Sequence, residues 1–181
     1  MDHARTLPAP VAGKPLIWDW LFLLLLAGCI AGSAWVGSLA YREGMKTEAT
    51  KRTGEAWLEW FAQSATTRSS EAAPEAACAA RPQAVWSVCQ SWLLGPDGPF
   101  GAQRNAYTGE PIRVVQACSG SDRTLAGMVA LDKVTTLPPG SAVPIVVAPL
   151  APDDSIAQKI TVRVTVCGPD AGPIRVGEIE F

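Results

Sequence analysis

Cysteine is the residue type with the clearest chemistry in this 181-residue sequence, which contains five cysteines. Cys29 lies inside a long apolar run and is interpreted as an unpaired small hydrophobe. The other four are Cys78, Cys89, Cys118 and Cys167. Their separations of 11, 29 and 49 residues fit no zinc-binding pattern such as CxxC. We therefore predict two disulfides, which persist only in oxidising compartments.

The four cysteines allow three pairings. We favour Cys78–Cys89, which closes a short loop around Trp86, and Cys118–Cys167, which joins the end of an early predicted strand to the end of a late one. In the chain-entropy model the longer loop contributes roughly 4 kcal/mol and the shorter one roughly 3 kcal/mol. One alternative stays open, in which four buried free thiols belong to a cytosolic domain.

Other polar clusters give little indication of catalysis. The segment Ser119–Asp122 is interpreted as a polar turn, and a Ser-His triad is excluded there because the only histidine is His3. Asp153 and Asp154 are adjacent but lack further calcium ligands, which favours a solvated turn. We expect no enzyme, no metal and no cofactor. The net charge of −2 provides no basic face, so no nucleic-acid partner is expected.

A transmembrane helix is predicted over residues 17–41. Leu21–Ala40 is twenty residues without a charge, and such a helix spans about 30 Å, the thickness of the hydrocarbon core. Aromatic residues with a polar group flank the run, as at membrane interfaces: Trp18, Trp20, Trp35 and Tyr41. The alternative is a cleaved signal peptide, for which Ser38 and Ala40 have suitable spacing, although the run is longer than a usual signal core.

The basic residues around this helix conflict with the cysteines over its orientation. Arg5 and Lys14 precede it, whereas a larger group follows it closely: Arg42, Lys46, Lys51 and Arg52. The positive-inside rule alone would place the C-terminal part in the cytoplasm. We give the cysteines more weight and predict a single-pass inner-membrane protein whose C-terminal domain lies in the periplasm or outside the cell.

Small residues repeat at four-residue spacing within the anchor. Gly28 and Gly32 form a GxxxG motif, which lets two helix backbones approach closely in lipid. Two further pairs share the spacing: Ala27 with Ala31, and Ser33 with Gly37. We predict that Gly28 and Gly32 pack against another membrane helix, including that of a second copy. The alternative is that small residues are simply common in membrane helices.

Helical periodicity continues beyond the membrane through residues 42–68. Apolar side chains recur at every fourth position and end in an aromatic group, which we predict to pack on the protein's own sheet: Trp57, Trp60 and Phe61. Gly44 and Gly54 each weaken the helix by about 1 kcal/mol and permit a bend.

Residues 69–181 are predicted to form one disulfide-stapled β domain. A short helix is expected over Pro82–Leu94 and precedes β-branched runs separated by turn-rich segments. The runs are Ile112–Cys118, Leu125–Val134, Ala142–Leu150, Ile160–Cys167 and Ile174–Phe181. Apolar and polar residues alternate in the fourth run, as in an antiparallel sheet. In the last run the alternation switches near Gly177, which predicts a bulge.

The predicted fold class is therefore α+β. The chain begins with an N-terminal tail (1–16), followed by the transmembrane helix (17–41) and its amphipathic continuation (42–68). That continuation packs on a four- to five-stranded antiparallel sheet (69–181).

This order of elements resembles the architecture of type IV pilins and pseudopilins. The loop Asn105–Pro111 is similar to the Asn-Pro-Tyr/Phe-Thr-Gly turns near the start of the sheet in such proteins. The prepilin processing motif differs, because Lys14 follows Gly13 where the family has an aromatic residue, and Asp19 falls one place late. The resemblance implies a pilin-like subunit or assembly accessory whose partners are the membrane and other membrane helices or pilin-like subunits.

Two functions of different classes follow from these observations. The first is a structural subunit or accessory of a surface filament or secretion assembly. The second is a membrane-tethered envelope module that binds a protein or ligand through its sheet or through the loop between Phe100 and Tyr107. Cleavage after Gly13 would favour the first function, and an intact N-terminus the second.

Overall fold

The computed structural model describes residues 17–67, 76–139 and 143–181. The predicted tail, with Gly13 and Lys14, lies outside these ranges, as do Arg68 and Ala142 at the ends of two predicted elements. The chain divides into two compact units, Met1–Arg42 and Glu43–Phe181.

Helix α1 (Ile17–Thr67) is the longest element and contributes to both units. In the first unit its apolar side chains are exposed, and Leu25 is 68% exposed. By length and composition, this part of α1 is sufficient to cross a membrane. In the second unit α1 continues without interruption through Gly44 and Gly54.

Five strands of the second unit form one sheet. They are β1 (Val114–Val115), β2 (Val129–Thr136), β3 (Ile145–Pro149), β4 (Thr161–Cys167) and β5 (Pro173–Glu180). The order is β1-β2-β4-β5, and β3 also pairs with β2. Because β4 occupies one edge of β2, β1 and β3 share the other edge. The predicted short helix is present as α2 (Trp86–Leu93).

The α+β fold class is confirmed, but the prediction of a purely antiparallel sheet is wrong. Val114 pairs with Val129 in parallel, whereas β2–β3, β2–β4 and β4–β5 are antiparallel. The connection between β1 and β2, residues 116–128, is long enough to return the chain to the same end of the sheet, which a hairpin turn is not. β1 is also only two residues long, so most of the predicted run at Ile112–Cys118 is not strand.

The predicted bulge near Gly177 is confirmed. Val164 pairs with Gly177, whereas the next residue of β4, Thr165, pairs with Arg175. Val176 is therefore the extra residue on β5, and such an insertion bends the strand and increases its twist.

One aromatic face of α1 packs against the sheet. Trp57 and Phe61 are fully buried, and Trp60 is 8% exposed. Trp57 stacks on Phe100 with ring centroids 4.1 Å apart, and Phe61 meets Phe181 edge to face at 4.9 Å. These rings share one core cluster with inward-facing valines of β4: Val162, Val164 and Val166. Burial of this face holds α1 on the sheet.

Gly54 is a position where α1 lies very close to the sheet. A Cβ atom there would lie 2.6 Å from Val176 Cγ2 and 2.7 Å from Val166 Cγ1. Gly44 differs, because a Cβ on it would meet no atom within 4 Å. Packing against the sheet therefore requires a glycine at position 54 but not at position 44.

We expect Gly54→Ala to lower the free energy of unfolding of the second unit by about 1–3 kcal/mol, because the added methyl group overpacks the contact with Val176 and Val166. The matched change Gly44→Ala should raise it by up to about 1 kcal/mol, because alanine favours the helix. Urea unfolding of full-length protein in detergent, followed by near-ultraviolet circular dichroism, measures both. Equal effects of the two changes would contradict this assignment.

Candidate functional site

Both disulfides lie in the second unit and have the pairing favoured from the sequence. Cys78 bonds to Cys89, and Cys118 bonds to Cys167. The first ties a short 3-10 helix (Ala76–Cys78) to α2 within the core cluster. The second ties the chain after β1 to the end of β4. Two such bonds are typical of a domain outside the cytoplasm.

The loop Asn105–Pro111 is organised by the buried Asn105 side chain. Its Nδ2 donates to the carbonyl of Ala126 at 2.7 Å, and its Oδ1 accepts from the backbone N–H of Tyr107 at 2.8 Å. The backbone of Asn105 closes the loop, because its N–H donates to the carbonyl of Glu110. Asn105 therefore makes the turn part of the folded core.

Gly127 makes room for this asparagine. Its φ of +77° is favoured by glycine, and a Cβ at this position would overlap the Asn105 amide. Its N–H donates to the carbonyl of Cys167 at 2.8 Å, so the Asn105 contact lies beside the end of β4. The loop is visible in the sequence by resemblance, but Asn105 and Gly127 cannot be identified there as its anchors, since their contact crosses 22 positions of the chain.

The same loop contacts α1 through Tyr107. The hydroxyl groups of Tyr107 and Thr47 are 3.0 Å apart, and Lys46 Nζ lies 5.8 Å from the Tyr107 ring centroid. Phe100, at the other end of this irregular segment, is buried against Trp57. The segment between Phe100 and Tyr107 therefore braces the helix rather than presenting two free aromatic rings.

A charged ladder crosses the outer face of the sheet. Arg163 pairs across strands with both Asp132 and Glu178. Glu178 Oε1 accepts from Arg163 Nε at 2.7 Å and from Arg175 Nη2 at 2.6 Å. Burial raises the pKa of the Asp132 carboxyl, and the Arg163 guanidinium opposes that shift. The ladder therefore contains two arginines and two carboxylates that lie beside one another.

The end of the β2–β3 hairpin is an exposed, uncharged ribbon. We define the β2–β3 ribbon as Val134–Thr136 of β2 and Ile145–Val147 of β3. Pairing with β4 stops at Val134, so Thr135 and Thr136 pair only with β3. Ile145 is 51% exposed and Val146 40%. An isolated pair of strands is only marginally stable in water. The β2–β3 ribbon is therefore a part of the sheet that could be stabilised by a further strand.

An open groove of about 650 Å³ borders the ribbon. Its two lysines are already paired: Lys133 Nζ lies 2.6 Å from Asp154 Oδ1, and Lys159 Nζ lies 3.3 Å from Glu180 Oε1. The rest of the lining consists largely of small and β-branched residues. The groove therefore offers strand backbone rather than a charged ligand pocket.

The predicted site residues fall into separate groups. Trp57, Trp60 and Phe61 are brought together in the core with the Cys78–Cys89 disulfide. Gly28 and Gly32 lie in the exposed apolar part of α1, where a Cβ would meet no atom within 4 Å. The glycine motif remains a prediction about a contact with another helix.

Polar groups with possible chemistry hydrogen-bond to their own neighbours. Asp122 accepts from the side chain and backbone of Thr124, and these bonds lower its pKa. Asp154 accepts from Lys133 and from the N–H of Ala151. Within residues 17–67, 76–139 and 143–181, no group of three or more His, Cys, Asp or Glu residues could hold a metal. Comparisons with protein-family models, curated proteins and solved structures found no significant match.

We expect Asn105→Ala to lower the free energy of unfolding by about 3 kcal/mol, because it removes one donor and one acceptor from buried partners. Tyr107→Phe should cost only about 1 kcal/mol, because it removes the single bond to Thr47. Denaturant unfolding of the full chain in detergent measures both losses.

A double-mutant cycle with Thr47→Val tests the hydroxyl contact directly. The two losses should be less than additive, because both changes remove the same bond between Thr47 and Tyr107. Thr47→Val also removes the exposed bond from Thr47 to the Glu43 carbonyl, which is present in both backgrounds. Full additivity, or an Asn105→Ala loss no larger than that of Tyr107→Phe, would contradict the assigned roles.

Proposed function

We propose that this protein is a membrane-anchored structural or assembly protein of the cell envelope, a pilin-like subunit or accessory of a surface filament or secretion assembly. We place its anchor in the inner membrane and its domain in the periplasm or outside the cell. The observation that carries the proposal is that one helix, α1, supplies both an exposed apolar segment and the spine of a disulfide-stapled domain.

The composition of the exposed segment supports an assembly role. In lipid, helices associate through close packing, and Gly28 and Gly32 leave one side of α1 without bulky side chains. The other pairs of small residues extend this property over two further faces. A partner helix could therefore approach the backbone closely at this level of the membrane.

The chemistry of the domain supports a structural role rather than catalysis. Aromatic residues such as Trp57 and Phe61 lie in the core, Glu178 pairs with Arg163 and Arg175, and Asp122 accepts hydrogen bonds within its own turn. The alternative function, an envelope module that binds a protein through its sheet, is favoured by the exposed β2–β3 ribbon. Binding through the loop between Phe100 and Tyr107 has less support, because Phe100 is buried and the Tyr107 hydroxyl hydrogen-bonds to Thr47.

The compartment of the domain is tested by C-terminal fusions. We expect an alkaline phosphatase fusion to be active, because that enzyme also needs disulfides, and a green fluorescent protein fusion exported by the same route to be dark. Activity of each fusion is measured in intact cells, with fusions after Lys14 as the reference for the opposite side. A fluorescent C-terminal fusion with inactive phosphatase would place the domain in the cytoplasm, as the basic residues alone suggest.

The assembly role is tested by changing the small-residue face. We expect Gly28→Ile to abolish crosslinking of α1 to another membrane helix, because the added side chain separates the two backbones. Crosslinking in native membranes measures this, and circular dichroism of the purified variant checks that the domain stays folded.

Gly37→Ile is the matched control for that experiment. At about 100° per residue Gly37 lies on the opposite side of the helix from Gly28, so the same substitution should leave crosslinking intact. Loss in Gly37→Ile alone would move the contact to the Ser33/Gly37 face. Unchanged crosslinking in both variants would reduce the anchor to a plain tether and refute the assembly contact.

A further inference from the structure

We propose that the free edge of β3 pairs antiparallel with β3 of a second copy of this chain, so that the two sheets become continuous across a two-fold axis. This goes beyond the helix contact, because it uses a different surface. Three features of β3 support this pairing: the direction of its main-chain groups, its register on β2 and its lack of charge.

Hydrogen bonds at both ends of the hairpin show which groups of β3 are free. Leu150 N–H donates to the carbonyl of Leu131 at 2.8 Å, and Leu137 N–H donates to the carbonyl of Pro144 at 2.9 Å. In an antiparallel pair, bonded and non-bonded positions alternate. The main-chain N–H and C=O groups of the even-numbered residues of β3 therefore point toward β2. Those of Ile145 and Val147 point away from β2. Among described residues, β3 has no other strand partner.

These free groups are self-complementary in one register. If Val146 lies opposite Val146 of the second copy, Ile145 lies opposite Val147 in both directions. Each such pair exchanges two bonds, so the two residues contribute four bonds in total. A shift that brings Pro149 opposite Ile145 loses donors, because proline has no N–H. The two-fold register centred on Val146 therefore forms four bonds from Ile145 and Val147 alone, without a pair that contains Pro149.

Charge favours a second copy as the partner strand. No charged residue occurs between Lys133 and Asp153, so a two-fold axis places no charge opposite itself. Free edges of soluble sheets commonly carry lysine or another charge that blocks such pairing, and β3 has none. The exposed aliphatic side chains of Ile145 and Val147 would instead form cross-strand apolar pairs.

The size of the contact indicates where it forms. One short strand pair is far smaller than the roughly 800 Å² per partner of a standard stable interface. Pairing between freely diffusing molecules is therefore weak. Copies anchored in one membrane have a high effective concentration, which favours a second contact between them in addition to helix packing. This last step rests on the anchor in the proposed function, whereas the register does not.

Cysteine crosslinking in native membranes tests the pairing, with the full chain in a Cys29→Ala background. Opposed residues at the two-fold position have Cα atoms about 4.5 Å apart, a separation that a disulfide can bridge. Val146→Cys should therefore give a covalent dimer under mild oxidation. Val143→Cys is the matched control, because Val143 is more exposed than Val146, at 56%. In the proposed register, however, the two Val143 residues would lie about 20 Å apart along the strands. We expect at least tenfold more dimer at position 146.

Two additional variants distinguish this contact from helix packing. Val147→Pro, added to Val146→Cys, removes an outward N–H without affecting bonds to β2, and should abolish the dimer. Gly28→Ile, added to the same variant, should preserve the preference for position 146 over position 143. Equal dimer at both positions, or none at position 146, would overturn self-pairing. If helix crosslinks sensitive to Gly28→Ile then persist, the proposed function stands without this contact.

Discussion

The packing of α1 against β4 and β5 brings the helix backbone into contact with the strand side chains Val166 and Val176. The positions of the other elements of the second unit depend on this contact. Each full Trp side chain buried there contributes about 4–6 kcal/mol of apolar burial. The indole N–H groups of Trp57, Trp60 and Trp86 have no hydrogen-bond partner among the described residues, at a cost of about 1–3 kcal/mol each. Burial therefore outweighs the unpaired donors.

Close packing also explains why glycines lie on both sides of the interface. Gly54 of α1 faces Val176, and Gly177 of β5 faces Leu58, whose Cδ2 would lie 2.7 Å from an added Cβ. Each glycine accepts a side chain from the opposite element. The bulge at Val176 shifts the alternation of β5 at this point, so that a glycine rather than a side chain lies under Leu58.

The remaining elements are attached to this interface by specific bonds rather than by more sheet. The Cys78–Cys89 bond holds α2 in the core, and Asn105 holds the loop that carries Tyr107 to Thr47. Short irregular segments bury little apolar area of their own, so covalent and hydrogen-bonded links replace it. The β2–β3 ribbon lies beyond these links, which is consistent with its exposed side chains.

Much of the architecture could be predicted because it depends on local pattern. The apolar run of α1, the aromatic stripe ending at Phe61, the short helix at Trp86–Leu93 and the bulge near Gly177 are visible as periodicity or as breaks in it. The parallel pairing of Val114 with Val129 could not be predicted in this way, because strand direction depends on the path of residues 116–128 through space.

The sequence by itself therefore determined the apolar helix, the fold class and a cysteine set suited to two disulfides, since composition and spacing are local properties of a chain. Only the tertiary structure decided which of Gly44 and Gly54 is required by packing, that Asn105 anchors its loop, and that β3 pairs with β2 alone among the described strands. Each of these depends on atoms that are distant in sequence, such as Gly54 with Val176. Side-chain packing at van der Waals distance is fixed by the whole fold, and no single segment encodes it.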